Sequence, residues 1–106
     1  MEECGSRLSK TFLKNELVRY TIRKALDLPV DDISLRNIVG STSYPIMRRV
    51  VNHVASRLVI LKNNHIRCGI CGKGPFTKRG LYLHMIRIHV NDILKMIDDA
   101  LEEKRE

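Results

Sequence analysis

Apolar side chains recur at three- and four-residue steps over residues 9–27, where Leu13, Leu17 and Tyr20 interleave with Val18, Ile22 and Leu26. That spacing predicts an amphipathic helix with a wide apolar stripe, ended by Pro29. Asp31 is placed to cap a second, short helix over residues 33–39, which stops at Gly40. Ser43 then stands as N-cap, with Pro45 in the first turn, of a third helix over residues 44–58. Ile46, Val50, Val54 and Leu58 align along one face of this helix, leaving Arg48, Arg49, Asn52 and Arg57 for solvent. The period then changes: residues 59–61 read as a strand, 62–64 as a turn tolerant of left-handed backbone, and 65–67 as a returning strand. After a Cys- and Gly-rich segment, Val90, Ile93, Leu94, Ile97 and Leu101 resume helical spacing. The pattern predicts a mainly α chain with small β-hairpins, in three parts: a helical unit of residues 1–64, a central segment of residues 65–89, and an amphipathic helix over residues 90–106. No repeat or Gly/Ser-rich joint separates the parts, so they are expected to pack rigidly together.

A chain of 106 residues builds only a modest core, and extra fastening would help it. An apolar fraction of 43% suits a folded protein, and no apolar run approaches the roughly 20 residues of a membrane span, so no membrane partner is expected. The net charge of +7 is unevenly distributed. Residues 33–91 hold ten Lys and Arg and no carboxylate, whereas residues 92–106 hold six acids and three bases. An acid-free run of 59 residues is unlike a mixed solvated surface and points to a polyanionic partner, nucleic acid first. The absence of Trp, with only three Tyr and two Phe, argues against base stacking on an exposed aromatic sheet, as RNA binders use.

Three cysteines cannot all pair within one chain, and Cys68 and Cys71 are spaced for metal ligation, which indicates a reducing compartment. The first residues show neither a signal nor a transit peptide, so a cytoplasmic, nucleoid-associated location is expected, or a nuclear one in a eukaryote. Cys4 reads as incidental in a frayed terminus, and His53 and His65 as ordinary polar residues. His84 and His89 complete the constellation, as Cys, two residues, Cys, twelve residues, His, four residues, His. Two thiolates on one knuckle and two imidazoles near one helix face can share an ion. Zn²⁺ suits this S2N2 set, and four protein ligands leave no open position, which makes the site structural rather than catalytic. With no open metal position, no nucleophile triad and no phosphate-cradling Gly loop, an enzyme is not expected.

On these four residues, residues 65–89 resemble the C2H2 zinc finger family. The resemblance implies a hairpin carrying Cys68 and Cys71, a helix carrying His84 and His89, and a small core of Leu81 with Phe76. Phe76 follows Cys71 by five residues where the family usually has four, so the tip of residues 72–74 is expected to be looser. Thr77 is placed to cap the finger helix, with Lys78 and Arg79 in its first turn. The positions that read bases in DNA-binding members fall here on Thr77, Gly80 and Leu83, a poor reading set, so Lys78 and Arg79 are expected on phosphates instead.

Residues 32–58 resemble a helix-turn-helix, and with the hairpin a winged helix whose wing merges into the finger. Leu35, Val39, Ile46 and Val50 take its inward positions, and Arg36 stands where a small residue is usual. The resemblance places Ser43, Tyr44, Arg48, Arg49 and Asn52 on a recognition helix, with Ser41 and Thr42 donating to phosphate at the turn and Lys62 on the wing. The expectation is a zinc-stabilised protein that binds double-stranded DNA, as a transcriptional regulator. The alternative is a protein-interaction adaptor in which the finger is purely structural and Leu83, Ile86 and Ile93 face a partner. A homodimer through the carboxy-terminal helix is a further expectation.

Overall fold

The predicted caps and apolar stripes order most of the chain into helices in the computed structural model, which describes the backbone of residues 2–105 and the side chains of residues 14–103. The elements are α1 (Glu2–Ala25), α2 (Asp32–Val39), α3 (Tyr44–Leu58), β1 (Val59–Lys62), β2 (His65–Cys68), α4 (Lys78–Ile88) and α5 (Val90–Arg105). The fold is mainly α with one small antiparallel hairpin. The side chains of Cys4 and Leu13, named above, lie outside the described residues. α1 begins earlier than its apolar stripe, because residues 2–8 carry no periodic pattern from which helix could be read.

Local chemistry sets the joints. Asp27 takes a left-handed conformation (φ 60°) just past α1, and the amides of Asp27 and Leu28 donate back to the carbonyls of Lys24 and Arg23, closing the helix in a Schellman arrangement. Asp31 Oδ1 accepts the Ser34 amide at 2.7 Å and caps α2, and this hydrogen bond holds the Asp31 carboxyl below its ordinary pKa. Ser43 precedes α3 as expected and Pro45 lies in its first turn, but the Ser43 hydroxyl caps nothing. A capping side chain needs extended backbone at its own residue, and Ser43 is already helical (φ −87°, ψ −10°).

Asn63 and Asn64 both adopt left-handed backbone, which is the two-residue hairpin turn whose twist matches that of its strands. The register runs from Val59 opposite Cys68 to Lys62 opposite His65. Among the described residues one hairpin forms, where the sequence pattern predicts hairpins in the plural. In place of a finger strand, Phe76 alone bridges Ile66, its amide donating to the Ile66 carbonyl at 2.8 Å. Gly72, Gly74 and Pro75 precede it; two glycines with positive φ and a proline without an N–H cannot extend a ladder.

One apolar core runs through the described residues. Leu17, Val18 and Ile22 of α1 meet Val50, Val54 and Leu58 of α3, and the same cluster continues through Cys68, Leu81 and Met85 into Ile93 and Ile97 of α5. Thr21 enters this core with its hydroxyl donated to the Leu17 carbonyl at 2.7 Å. α3 is gripped by α1 and α5 from different sides, so its buried arc is wider than predicted: Met47 and Val51 are buried, while Ile46 is only half-buried.

α5 folds back along α3 instead of extending α4 as a rod, because the helix breaks at His89. The stripe considered for a homodimer is thereby directed into the chain's own core, with Ile93 and Ile97 buried and Val90, Leu94 and Leu101 half-buried. Ile93 is fully buried and so is not a residue an adaptor could present, whereas Leu83 stays 37% exposed. Among the described residues, no helix is long and apolar enough to cross a membrane.

Candidate functional site

Cys68 ends β2 inside the core, and the chain turns immediately. The Gly72 amide donates to the Cys68 carbonyl and the Cys68 amide to the Lys73 carbonyl, each at 2.9 Å, so the knuckle closes on itself and carries Cys71 at its outer side. Gly72 has φ +79°, a backbone state that costs most other residues about 1–2 kcal/mol. Gly69 serves a different need. Its amide donates to the Leu58 carbonyl at 2.7 Å, and a Cβ at this position would collide with the Arg57 carbonyl oxygen and stand 2.8 Å from the Leu58 carbonyl carbon. The knuckle therefore sits backbone to backbone on the end of α3.

On the other side, Thr77 Oγ1 accepts the Gly80 amide at 3.0 Å and starts α4, which supplies His84. Phe76 stacks on the His84 ring with centroids 4.9 Å apart, and Leu81 is fully buried, so both take the core roles expected of them. His89 closes α4, its amide donating to the Met85 carbonyl at 2.8 Å.

One ligand atom from each of Cys68, Cys71, His84 and His89 lies within 4.8 Å of all the others, and Cys71 Sγ is 3.4 Å from His84 Nε2. Donor atoms around a tetrahedral zinc ion lie about 3.3–3.8 Å apart, so a small contraction brings the set to coordination distance. His89 supplies the sharpest sign that the set fits an ion. Its Nε2 is buried without a hydrogen-bond partner, a state that ordinarily costs a protein about 1–3 kcal/mol and that a metal would satisfy. His89 Nδ1 is 2.8 Å from Asp92 Oδ2.

The electrostatics of the four groups differ. Burial pushes the Cys68 thiol up, while a backbone hydrogen bond from Lys73, helped by His89, holds Cys71 down at about 6. Burial alone would make the His89 ring harder to protonate, but Asp92 and Cys71 outweigh it and the net shift is upward. The cluster could thus hold one metal ion with no protein position left open.

The expected nucleic-acid contacts are distributed around α3. Ser41, Thr42 and Ser43 are exposed on the turn, and Arg48, Arg49 and Asn52 are exposed on α3. At 100° per residue, Arg48, Arg49, Asn52 and Ser56 fall within an arc of roughly 100°. The stripe leads at Ser56 into a groove of about 350 Å³ shared with Lys78 of α4 and Leu61 and Ile66 of the hairpin. Lys62, Lys78 and Arg79 are exposed. Tyr44 is half-buried, and the Arg36 guanidinium lies 4.7 Å from its ring centroid, a cation–π contact that ties the end of α2 to the start of α3. This contact accounts for an arginine where a small residue was expected. Thr77 spends its hydroxyl oxygen on the cap, and Gly80, expected with it as a base-reading position, has no side chain.

On the opposite shoulder of α3, His53 and Arg57 face Asp99 and Glu103 of α5 across a cleft of about 400 Å³ floored by Val54, Gly69 and Ala100. Sequence reasoning did not single out Gly69 or Asp92. Compared with protein families, with curated proteins and with solved structures, the chain matches none.

Proposed function

We propose that this protein binds double-stranded DNA through α3 and its flanking loops, with a structural Zn²⁺ at Cys68, Cys71, His84 and His89 holding the hairpin and α4 against that helix. The observation that carries the reading is the exposed Arg48, Arg49 and Asn52 stripe, set within 59 residues that contain no carboxylate. Ten Lys and Arg within a run of 59 residues that contains no carboxylate attract phosphate. Helix α3 presents the stripe along a little over one turn near its middle, and a helix of its 15 residues fits the major groove. Arg48 and Arg49 suit guanine O6 and N7, and Asn52 suits adenine N6 and N7. Ser41, Thr42, Ser43, Lys62, Lys78 and Arg79 suit the backbone, where they fix register and carry no sequence information.

The acidic face of α5 supports a direction of approach. Asp99 and Glu103 flank the Arg57 shoulder of α3 and Asp27 lines the groove beside Lys78, so phosphates are favoured along the Arg48, Arg49 and Asn52 stripe between them. A soft S2N2 donor set favours zinc over calcium or magnesium. Such a protein serves as a transcriptional regulator. The adaptor reading retains one favourable observation, the exposure of Leu83 and Ile88 on α4.

The test is binding of zinc-loaded protein to a fluorescent 20-base-pair duplex across a salt series. Contact with about six phosphates predicts a log–log slope near −5. Arg48→Ala with Arg49→Ala should weaken binding and flatten the slope by about 1 per phosphate contact removed. Leu83→Ser should change neither. Absence of binding at 50 mM salt would sink the DNA reading and leave the adaptor.

A further inference from the structure

His89 is the single residue between α4 and α5, and four of its groups are committed. Its amide donates to the Met85 carbonyl, its carbonyl accepts the Ile93 amide at 2.9 Å, Nε2 belongs to the ligand cluster, and Nδ1 meets Asp92 Oδ2 at 2.8 Å. The His89 side chain is 7% exposed and that of Asp92 is 56% exposed. Asp92 is the first carboxylate after the acid-free stretch, three residues past the last ligand and in the first turn of α5. The Lys95 ammonium pairs with Asp99 at 3.4 Å, so among the described residues Asp92 makes its one side-chain bond to His89.

We infer that Asp92 is a positioning residue for the metal centre. An imidazole can ligate through Nε2 only when that nitrogen carries the lone pair, which puts the ring proton on Nδ1. A carboxylate accepting that proton holds this tautomer, fixes the ring's angle toward Cys71 and His84, and makes Nε2 a stronger donor. His89 is itself the α4–α5 joint and Asp92 lies in the first turn of α5, so the same bond ties that turn to the metal. This inference concerns the metal alone and is independent of whether the protein binds DNA.

The experiment titrates the full chain with Co²⁺, read by its visible ligand-field and thiolate bands, and then displaces Co²⁺ with Zn²⁺. Asp92→Ala should bind each ion about 10–100-fold more weakly, with a shifted ligand-field band at saturation. Asp92→Asn keeps an acceptor oxygen without the charge and should lose less. Asp99→Asn, on the same helix, should bind like wild type. A negative charge in the first turn also stabilises any helix. Adding Asn91→Asp to Asp92→Ala separates this effect, because it restores the charge without the contact. It should not restore affinity. Affinity of Asp92→Ala within about twofold of wild type, or full rescue by Asn91→Asp, would overturn the inference. If Asp92→Ala does not fold at saturating metal, Asp92→Asn decides: an affinity equal to wild type refutes the role, and a reduced one sustains it.

Discussion

Gly69 shows how much one missing methyl can decide. Its amide bond to Leu58 and its approach to the Arg57 carbonyl bring the metal knuckle and the end of α3 to van der Waals distance. Gly69→Ala is expected to destabilise the zinc-loaded protein by about 1–3 kcal/mol, because backbone rather than a pliable side chain must move. Denaturant unfolding of metal-saturated protein measures it, and a variant as stable as wild type would contradict the packing. Nothing in the linear pattern marks this residue. A glycine beside a metal cysteine is ordinary turn chemistry, and its second duty exists only once α3 has been brought beside it. Asp92 was more accessible: a carboxylate ending a long acid-free run, three positions after a ligand and on a helix, has a readable signal. That Cys68, Cys71, His84 and His89 come together was legible because metal coordination imposes fixed spacings on a chain. The hydroxyl of Ser43 was not, since capping depends on a backbone angle that residue type alone does not set.

Elements were legible where one periodicity ruled. α3 and the hairpin fall where the apolar period and the paired asparagines predict them. The buried arc of α3 is wider than its one apolar stripe because two helices grip it, and a single stripe cannot show a second neighbour. The absence of a second strand after Cys71 has the same origin: spacing located the four cluster residues, but Gly74 and Pro75 left only Phe76 able to pair with β2. The location of α5 gives a sharp contrast between two residues once grouped on one surface. Ile93 is fully buried, so Ile93→Ala should cost about 2–5 kcal/mol. Leu83→Ala, at an exposed position, should stay within about 0.5 kcal/mol. Thermal or urea melts of the two variants check this, and equal losses would mean that α5 does not dock as described.

At the scale of the whole molecule, the Cys68, Cys71, His84 and His89 cluster and the core are one structure. Cys68, Leu81 and Met85 belong to the cluster that contains Leu17, Val54 and Ile93, so unfolding cannot stop at the boundaries of residues 65–89. Zinc binding to small finger peptides contributes about 10–16 kcal/mol, comparable to or larger than the entire stability of a typical domain. Strong chelation at neutral pH should therefore remove most of the helical circular dichroism in one transition, including that of α1 and α3. Loss confined to the signal of the finger helix would show the amino-terminal helices to be self-sufficient. The sequence boundaries at residues 64 and 89 were reasonable divisions of pattern, but a shared interior has no signature in any one segment.

Strand β2 carries this furthest. One edge is held by β1 and the other by Phe76, so the same four residues complete both the amino-terminal hairpin and the metal-bearing loop. The segment of residues 65–89 is thus built into the fold and not an interchangeable bead. Residues 65–89 transplanted onto a foreign carrier would arrive with a bare strand margin and with Gly69 facing water in place of Leu58. Lengthening the protein by duplicating that segment would fail for the same reason, which limits the ways this architecture can grow.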